Sequence, residues 1–209
     1  MSKEQFNDGD VLPVFPLPNT ILFPEVAIPL HIFEERYREM IKDILDGQGV
    51  FCLVTIDGKW EGEHSGDFNF FKKGTICHLE KYVPLDDGRF NIIVKGIVRC
   101  LVEDCDYRNN KKYRSVIVHK DPNDLIDDSV PAVAEEVRQI ACNFFKTKPT
   151  TSTENEIDMY FDKMNLIQVI NILCMHLPLE IEEKHAVFEK SSYSDICNLI
   201  LDSYSSYRP

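Results

Sequence analysis

The sequence predicts an α+β protein in which a β-rich N-terminal part with one inserted helix precedes a helical C-terminal part. Three observations lead there. Residues 50–120 hold short β-branched and aromatic runs separated by turn residues. Beyond residue 131 the apolar spacing becomes helical. A proline-rich entry at 12–40, LPVFPLPNTILFPEVAIPLHIFEERYREM, runs directly into a charged amphipathic stretch.

Proline removes a backbone donor and fixes φ near −65°, so Pro13, Pro16, Pro18, Pro24 and Pro29 leave room only for strands that are broken, edge-lying or bulged. From Phe33 the spacing predicts a helix with Phe33, Tyr37, Met40, Ile41 and Ile44 on one face. Val50–Ile56 reads as a strand closed by Asp57-Gly58. Gly74 opens a strand in which Thr75, Cys77, Leu79 and Lys81 alternate with Ile76, His78, Glu80 and Tyr82, and Asp86-Asp87-Gly88 turns the chain back into Phe90–Val94. Gly96 interrupts before IVRCLV, and KYRSVIVHK at 112–120 is a further strand. Strands this short and close suggest a small barrel or two packed sheets.

Residues 121–131, DPNDLIDDSVP, mark the shift in composition. Val133, Val137, Ile140, Ala141 and Phe144 form one helical stripe, and Ile157, Tyr160, Phe161 and Met164 another. Asn165 either caps or interrupts before LIQVINILCMHL, which Pro178 stops. A helix follows from about Leu179, and Ser194 with Asp195 is placed to cap a last one. The expected division is a β-rich part at 1–120 and an acidic helical part at 121–209.

The stretches 12–41, 72–102 (KKGTICHLEKYVPLDDGRFNIIVKGIVRCLV) and, more loosely, 166–201 resemble, in this order, the N-terminal substrate-binding domain of the Lon proteases. A Lon-type domain also occurs alone in small bacterial proteins and inside cereblon. FP…PLHIFE-x-RY carries most of the resemblance, and GT, DGRF and KG-x-x-R support it. The resemblance implies a PUA-like pseudo-barrel with one inserted helix followed by a helical bundle, the two parts making one Lon-type domain. It also implies a role in binding polypeptides, here in a stand-alone protein.

Composition restricts the function classes. The formal net charge is −12: residues 1–120 hold 16 Lys and Arg against 19 Asp and Glu, and residues 121–209 hold 7 against 16. Nucleic-acid affinity comes largely from cations that release condensed counterions, so this balance argues against RNA despite the PUA-like fold. No run reaches the roughly 18 apolar residues of a membrane span. The polar start MSKEQFNDGD and seven irregularly spaced cysteines point to a cytoplasmic protein with free thiols and no membrane partner.

The sequence has no G-x-x-x-x-G-K-[ST] loop, no candidate Ser–Lys protease site and no G-x-S-x-G elbow, so no enzymatic activity and no cofactor are expected. Cys100 and Cys105 with Cys77 and His78 do not form the two close pairs of a zinc site, and strand alternation sends Cys77 and His78 to opposite faces. His185 and Glu189 read as a solvated i,i+4 contact. His31 is expected to be a structural histidine bonded to backbone. Glu34, Arg36 and Arg99 are expected to form an ion pair that joins the first helix to the sheet, with Tyr37 and Arg89 completing the RY and DGRF motifs. Gly88 and Gly96 are explained by a hairpin turn and by a bulge or close approach.

The candidate binding residues are aromatic. Trp60, Phe68, Phe70 and Phe71 lie in the polar segment 58–73, either as adaptable anchors for an extended peptide or as the start of the next strand pointing inward. Phe15 and Phe23 carry the same two readings, surface anchor or core. The expected function is non-catalytic recognition of exposed apolar segments of unfolded or target proteins. The alternative is an adaptor that docks one specific folded partner, as the Lon-like domain of cereblon does.

Overall fold

A computed structural model of the chain describes residues 6–58, 69–105, 110–122 and 133–206. Two compact units divide it, residues 1–122 and 123–209. Among its described residues the first holds β1 (Asp10–Leu17), β2 (Ala27–Ile32), α1 (Glu35–Asp46), β3 (Val50–Thr55), β4 (Lys73–Pro84), β5 (Phe90–Asp104) and β6 (Ser115–Lys120). The second holds α2 (Ala134–Lys146), α3 (Glu154–Asp162), α4 (Leu166–His176), α5 (Ile181–Phe188) and α6 (Tyr193–Ser206). The α+β expectation therefore holds.

The sheet closes on itself. β1 pairs in parallel with β3, and antiparallel pairs β3–β4, β4–β5, β5–β6 and β6–β1 complete the circuit. The parallel step needs a crossover, which β2 and α1 supply. The prolines explain how β1 takes part: Asp10–Pro13 pairs with β6, and Val14–Leu17 pairs with β3, so the partner changes sides at Pro13. Each half then has one open side, which accommodates residues lacking a donor.

β5 also serves two partners besides β4. Its Phe90–Lys95 half pairs with β2 and its Cys100–Asp104 half with β6. Between these halves Ile76 faces Val98 while Cys77 faces Gly96, so Ile97 is an extra residue that bends the strand. Gly96 is also where the 23–26 turn crosses. Its N–H donates to the Val26 carbonyl and its carbonyl accepts from Glu25 N–H, 3.0 and 2.9 Å. A Cβ there would lie 2.6 Å from the Phe23 carbonyl oxygen.

The barrel interior is filled by Val14, Cys52, Val54, Ile76, Cys100, Val102, Val116 and Val118. Helix α1 buries Tyr37, Met40, Ile41 and Ile44, the predicted stripe without its first member. Phe33 precedes the helix and stands in solvent. Tyr113 donates to the Asp43 carboxylate at 2.7 Å and Lys111 pairs with it at 2.8 Å, tying the segment before β6 to α1.

In the helical unit, Thr153 with Glu156 and Asn165 with Gln168 form capping boxes, so Asn165 caps α4. The hydroxyl that accepts from Asp195 N–H is that of Ser192, not Ser194, because α6 begins one residue before Ser194. Ile157 and Phe161 of the second stripe are buried, but Tyr160 is exposed. His185, 3.4 Å from Glu189, is buried rather than solvated. All seven cysteines are free, and none of the helices among the described residues is long and apolar enough to cross a membrane.

Candidate functional site

Among the described residues, strand β2 lies outside the closed circuit and pairs with β5 alone. Register then sets which side chains share its outward face. Pro29 stands beside Ile93, which stands beside Lys81; His31 stands beside Asn91, which stands beside Val83. Alternation puts Leu30 and Ile32 on the other face, toward the core. Phe33 continues the Pro29–His31 parity, and its ring stacks on His31 with centroids 6.3 Å apart.

This face carries an unusual amount of apolar surface for a sheet in water. Phe33 is 62% exposed, Val83 56% and Ile93 37%. Tyr82, half exposed, flanks them from the opposite side of β4. Nothing else among the described residues of the β unit brings three large exposed apolar side chains onto one strand face. Pro29 removes a donor from the open edge of β2, which weakens that edge as a template for strand addition.

A polar cluster borders the face where β4 turns into β5. Leu85 N–H donates to the Arg89 carbonyl and Gly88 N–H to the Leu85 carbonyl, both at 2.9 Å. Gly88 has φ +79, and a Cβ there would overlap the Arg38 guanidinium of α1. The positive φ favours glycine there, while the guanidinium, at the end of a flexible side chain, could shift aside. Asp87 accepts from Arg89 N–H at 3.0 Å and from Arg89 Nε at 2.6 Å. These bonds pull the Asp87 carboxyl down to about 2.

Arg89 Nη1 also reaches His31 Nε2 at 3.4 Å, while His31 Nδ1 lies 2.7 Å from Asn91 Oδ1. The guanidinium only donates and the amide oxygen only accepts, so the ring carries its proton on Nδ1. His31 is thus oriented by two side chains, not by the expected backbone bond. It is exposed and acts as a spacer between Asn91 and Phe33.

The remaining predicted residues fall elsewhere. Phe15, Phe23 and Phe70 are buried, Phe15 edge-on to Tyr37 and Phe51. Of their two readings the structure places them in the core. Phe71 is half-buried and donates its N–H to the Thr55 carbonyl. Trp60 and Phe68 lie outside the described residues. Glu34 pairs with Arg36 at 2.6 Å, and Arg36 covers the Tyr37 ring at 4.7 Å. Arg99 is buried in β5 opposite Thr75. Among the described residues no group of three or more His, Cys, Asp or Glu is arranged to hold a metal.

Sequence reasoning missed Phe33, Val83 and Ile93. The signal for Phe33 was present: in PLHIF the period of two puts Pro29, His31 and Phe33 together.

The family model of the ATP-dependent protease La (LON) substrate-binding domain matches residues 11–203. The Lon protease of Cytophaga hutchinsonii is 25% identical over 191 residues, which is 90% of this chain and 23% of that protein. The chain thus spans under a quarter of the length of such curated relatives. Among solved structures, the N-terminal domain of the Mycobacterium avium complex Lon protease superposes with a TM-score of 0.66 at 15% identity, covering 95% of this chain and all of that one. A Lon N-terminal domain protein from Xanthomonas campestris gives 0.58 at 19% identity, covering 96% and 99%. These likenesses share the fold.

Proposed function

Because the chain belongs to the Lon substrate-binding domain family, we propose that it recognises exposed apolar segments of other polypeptides and binds them on the outward face of β2, β5 and β4. The observation that carries this reading is the alignment of Phe33, Val83 and Ile93, all exposed, beside Pro29 and the Phe33–His31 stack. Isolated exposed apolar residues are ordinary on a protein surface; several on one strand face are a feature of interaction sites. The match is confined to the substrate-binding region of much longer proteins, so the role assigned is binding, with no bond-breaking step.

Recognition on this face works through side chains. An incoming apolar residue packs on the Phe33 ring and between Ile93 and Val83, and the Asp87–Arg89–His31 chain fixes one border of the site. Apolar burial is non-directional, which suits a site that accepts many sequences. A few hundred Å² at about 25 cal/mol per Å², less the entropy of association, gives weak to moderate affinity.

The test is titration of 13C-methyl-labelled protein with a permanently unfolded chain such as reduced, carboxymethylated α-lactalbumin. Saturable shifts at the Ile93 and Val83 methyls support the reading. No shift at either overturns it. So does a face that responds only to one folded partner and is not competed by unrelated unfolded chains, which would instead fit an adaptor.

A further inference from the structure

The outward face of β2, β5 and β4 carries a group that gains charge in acid. His31 is exposed on β2, and its ring stands between Asn91 and the Phe33 ring. Its Nδ1 donates to Asn91 Oδ1 at 2.7 Å, and its Nε2 accepts from Arg89 Nη1 at 3.4 Å. Both contacts use the neutral ring, and neither partner is a carboxylate. A second proton goes to Nε2, where it meets a guanidinium that only donates. The Arg89 bond is then lost, and two cations face each other.

Among the described residues, the neighbouring elements bring no acid into bonding contact with the ring. On the β5 side it meets Asn91 and Arg89. In the turn, Asp87 is held by Arg89, Nε at 2.6 Å and Nη2 at 2.5 Å, with Asp86 beside it in the chain. At the start of α1, Glu34 pairs with Arg36 and Glu35 with Lys112, while Arg38 lies against Gly88 of the turn. On β4 the nearest rows carry Val83 and Lys81. While the face is open, water separates an imidazolium from the guanidinium. An apolar segment lying on Phe33, Ile93 and Val83 displaces that water, and desolvation then penalises the charged ring. Histidine changes charge between pH 5 and 8, so both forms are within reach.

We propose that His31 makes the β2–β5–β4 face proton-controlled: it holds apolar segments while the ring is neutral and releases them when the ring is protonated. By linkage, occupancy and protonation oppose each other to the same extent. The proposal rests on reading this face as the binding site and adds the condition under which it empties. Its sign follows from the contacts, because a ring received by a carboxylate would act in the opposite direction.

The test uses the full chain and an end-blocked 13-residue peptide of Leu, Phe, Ser and Gln, which has no group that titrates between pH 5 and 8. The readout is the dissociation constant from Ile93 and Val83 methyl shifts at pH 7.5 and 5.5. The natural chain should bind at least about five-fold more weakly at pH 5.5. That ratio should fall to within about two-fold of unity in His31→Gln and persist in His78→Gln, whose histidine lies further along β4 beside Lys95. In Asn91→Asp a carboxylate receives Nδ1 and favours the charged ring, so binding should be lost at a higher pH. If His31→Gln binds at neither pH, Asn91→Asp decides, and the absence of an upward shift overturns the proposal. Binding that is equal at both pH values, or stronger at pH 5.5, overturns it and leaves the face standing, as does a full ratio retained in His31→Gln. A peptide that shifts neither methyl at either pH overturns the face and the proposal together.

Discussion

Replacing Phe33 by alanine separates a residue that binds from one that holds the fold. A phenylalanine side chain can bury roughly 150–250 Å², and 62% of Phe33 is exposed. About 100–150 Å² is therefore available to a partner. At about 25 cal/mol per Å² this sets an upper limit of about 2.5–4 kcal/mol. Ordering of the bound segment removes much of it, which leaves about 1–2 kcal/mol, or roughly a 5- to 30-fold weaker dissociation constant in Phe33→Ala. The fold should lose little, within about 1 kcal/mol, because only the stacking on His31 and the covered third of the ring are lost. Phe15→Ala is the contrast. Phe15 is buried against Tyr37 and Phe51, so its truncation should cost about 3–5 kcal/mol of stability. Fluorescence anisotropy with a labelled unfolded chain measures the first effect, and urea unfolding the second. Unchanged affinity in a folded Phe33→Ala protein would refute the assignment of the face.

Three further outcomes follow from the geometry. Gly96→Ala should destabilise by about 2–3 kcal/mol, because the new Cβ meets a carbonyl 2.6 Å away that belongs to backbone. Gly9→Ala, with φ +87 but open space around it, should cost only the left-handed conformation, about 1–2 kcal/mol, and urea midpoints should rank the two in that order. The Asp87 carboxyl, depressed by its bonds to Arg89, should titrate near 2 by carbonyl-carbon NMR. Its folded value is below its unfolded value, so the stability it contributes is present above about pH 4 and is lost as pH falls toward 2. Thr153→Ala removes the hydroxyl partner of Glu156 and the cap of α3. It should cost about 1 kcal/mol by thermal unfolding, and the Glu156 titration should rise only part of the way, because the Thr153 backbone N–H that lowers it most remains.

The fold was legible in the sequence because its seams have local causes. Prolines at 13 and 16 announce a strand that cannot be paired on both sides throughout, and β1 changes partner there. Asp86-Asp87-Gly88 announces a hairpin, and a positive φ confirms the need for glycine. The site was less legible. A phenylalanine directly before an amphipathic helix satisfies two periods, and at Phe33 the helical one sends the side chain to the wrong environment. The deciding feature is that Tyr37, Met40, Ile41 and Ile44 already complete the buried stripe. Val83 and Ile93 were invisible for another reason. Their exposure depends on which face of the sheet is left uncovered by other elements, which is a matter of tertiary arrangement and not of local pattern.

The topology also separates the apolar face from the open strand edge. β5 is paired on both sides along its first half, so Ile93 is displayed from an interior strand. Val83 is held by the hairpin to the same strand. The open edge falls on β2, six residues long and interrupted by Pro29. Strand addition is disfavoured there, whereas the side-chain face stays free. A proline substitution by a donor residue should therefore act on self-association and not on side-chain binding. Pro29→Val restores the missing N–H and a strand-favouring side chain, and sedimentation velocity should show stronger concentration-dependent association than the natural sequence gives. If Pro29→Val associates no more than the natural chain, the open edge is blunted by something other than its proline.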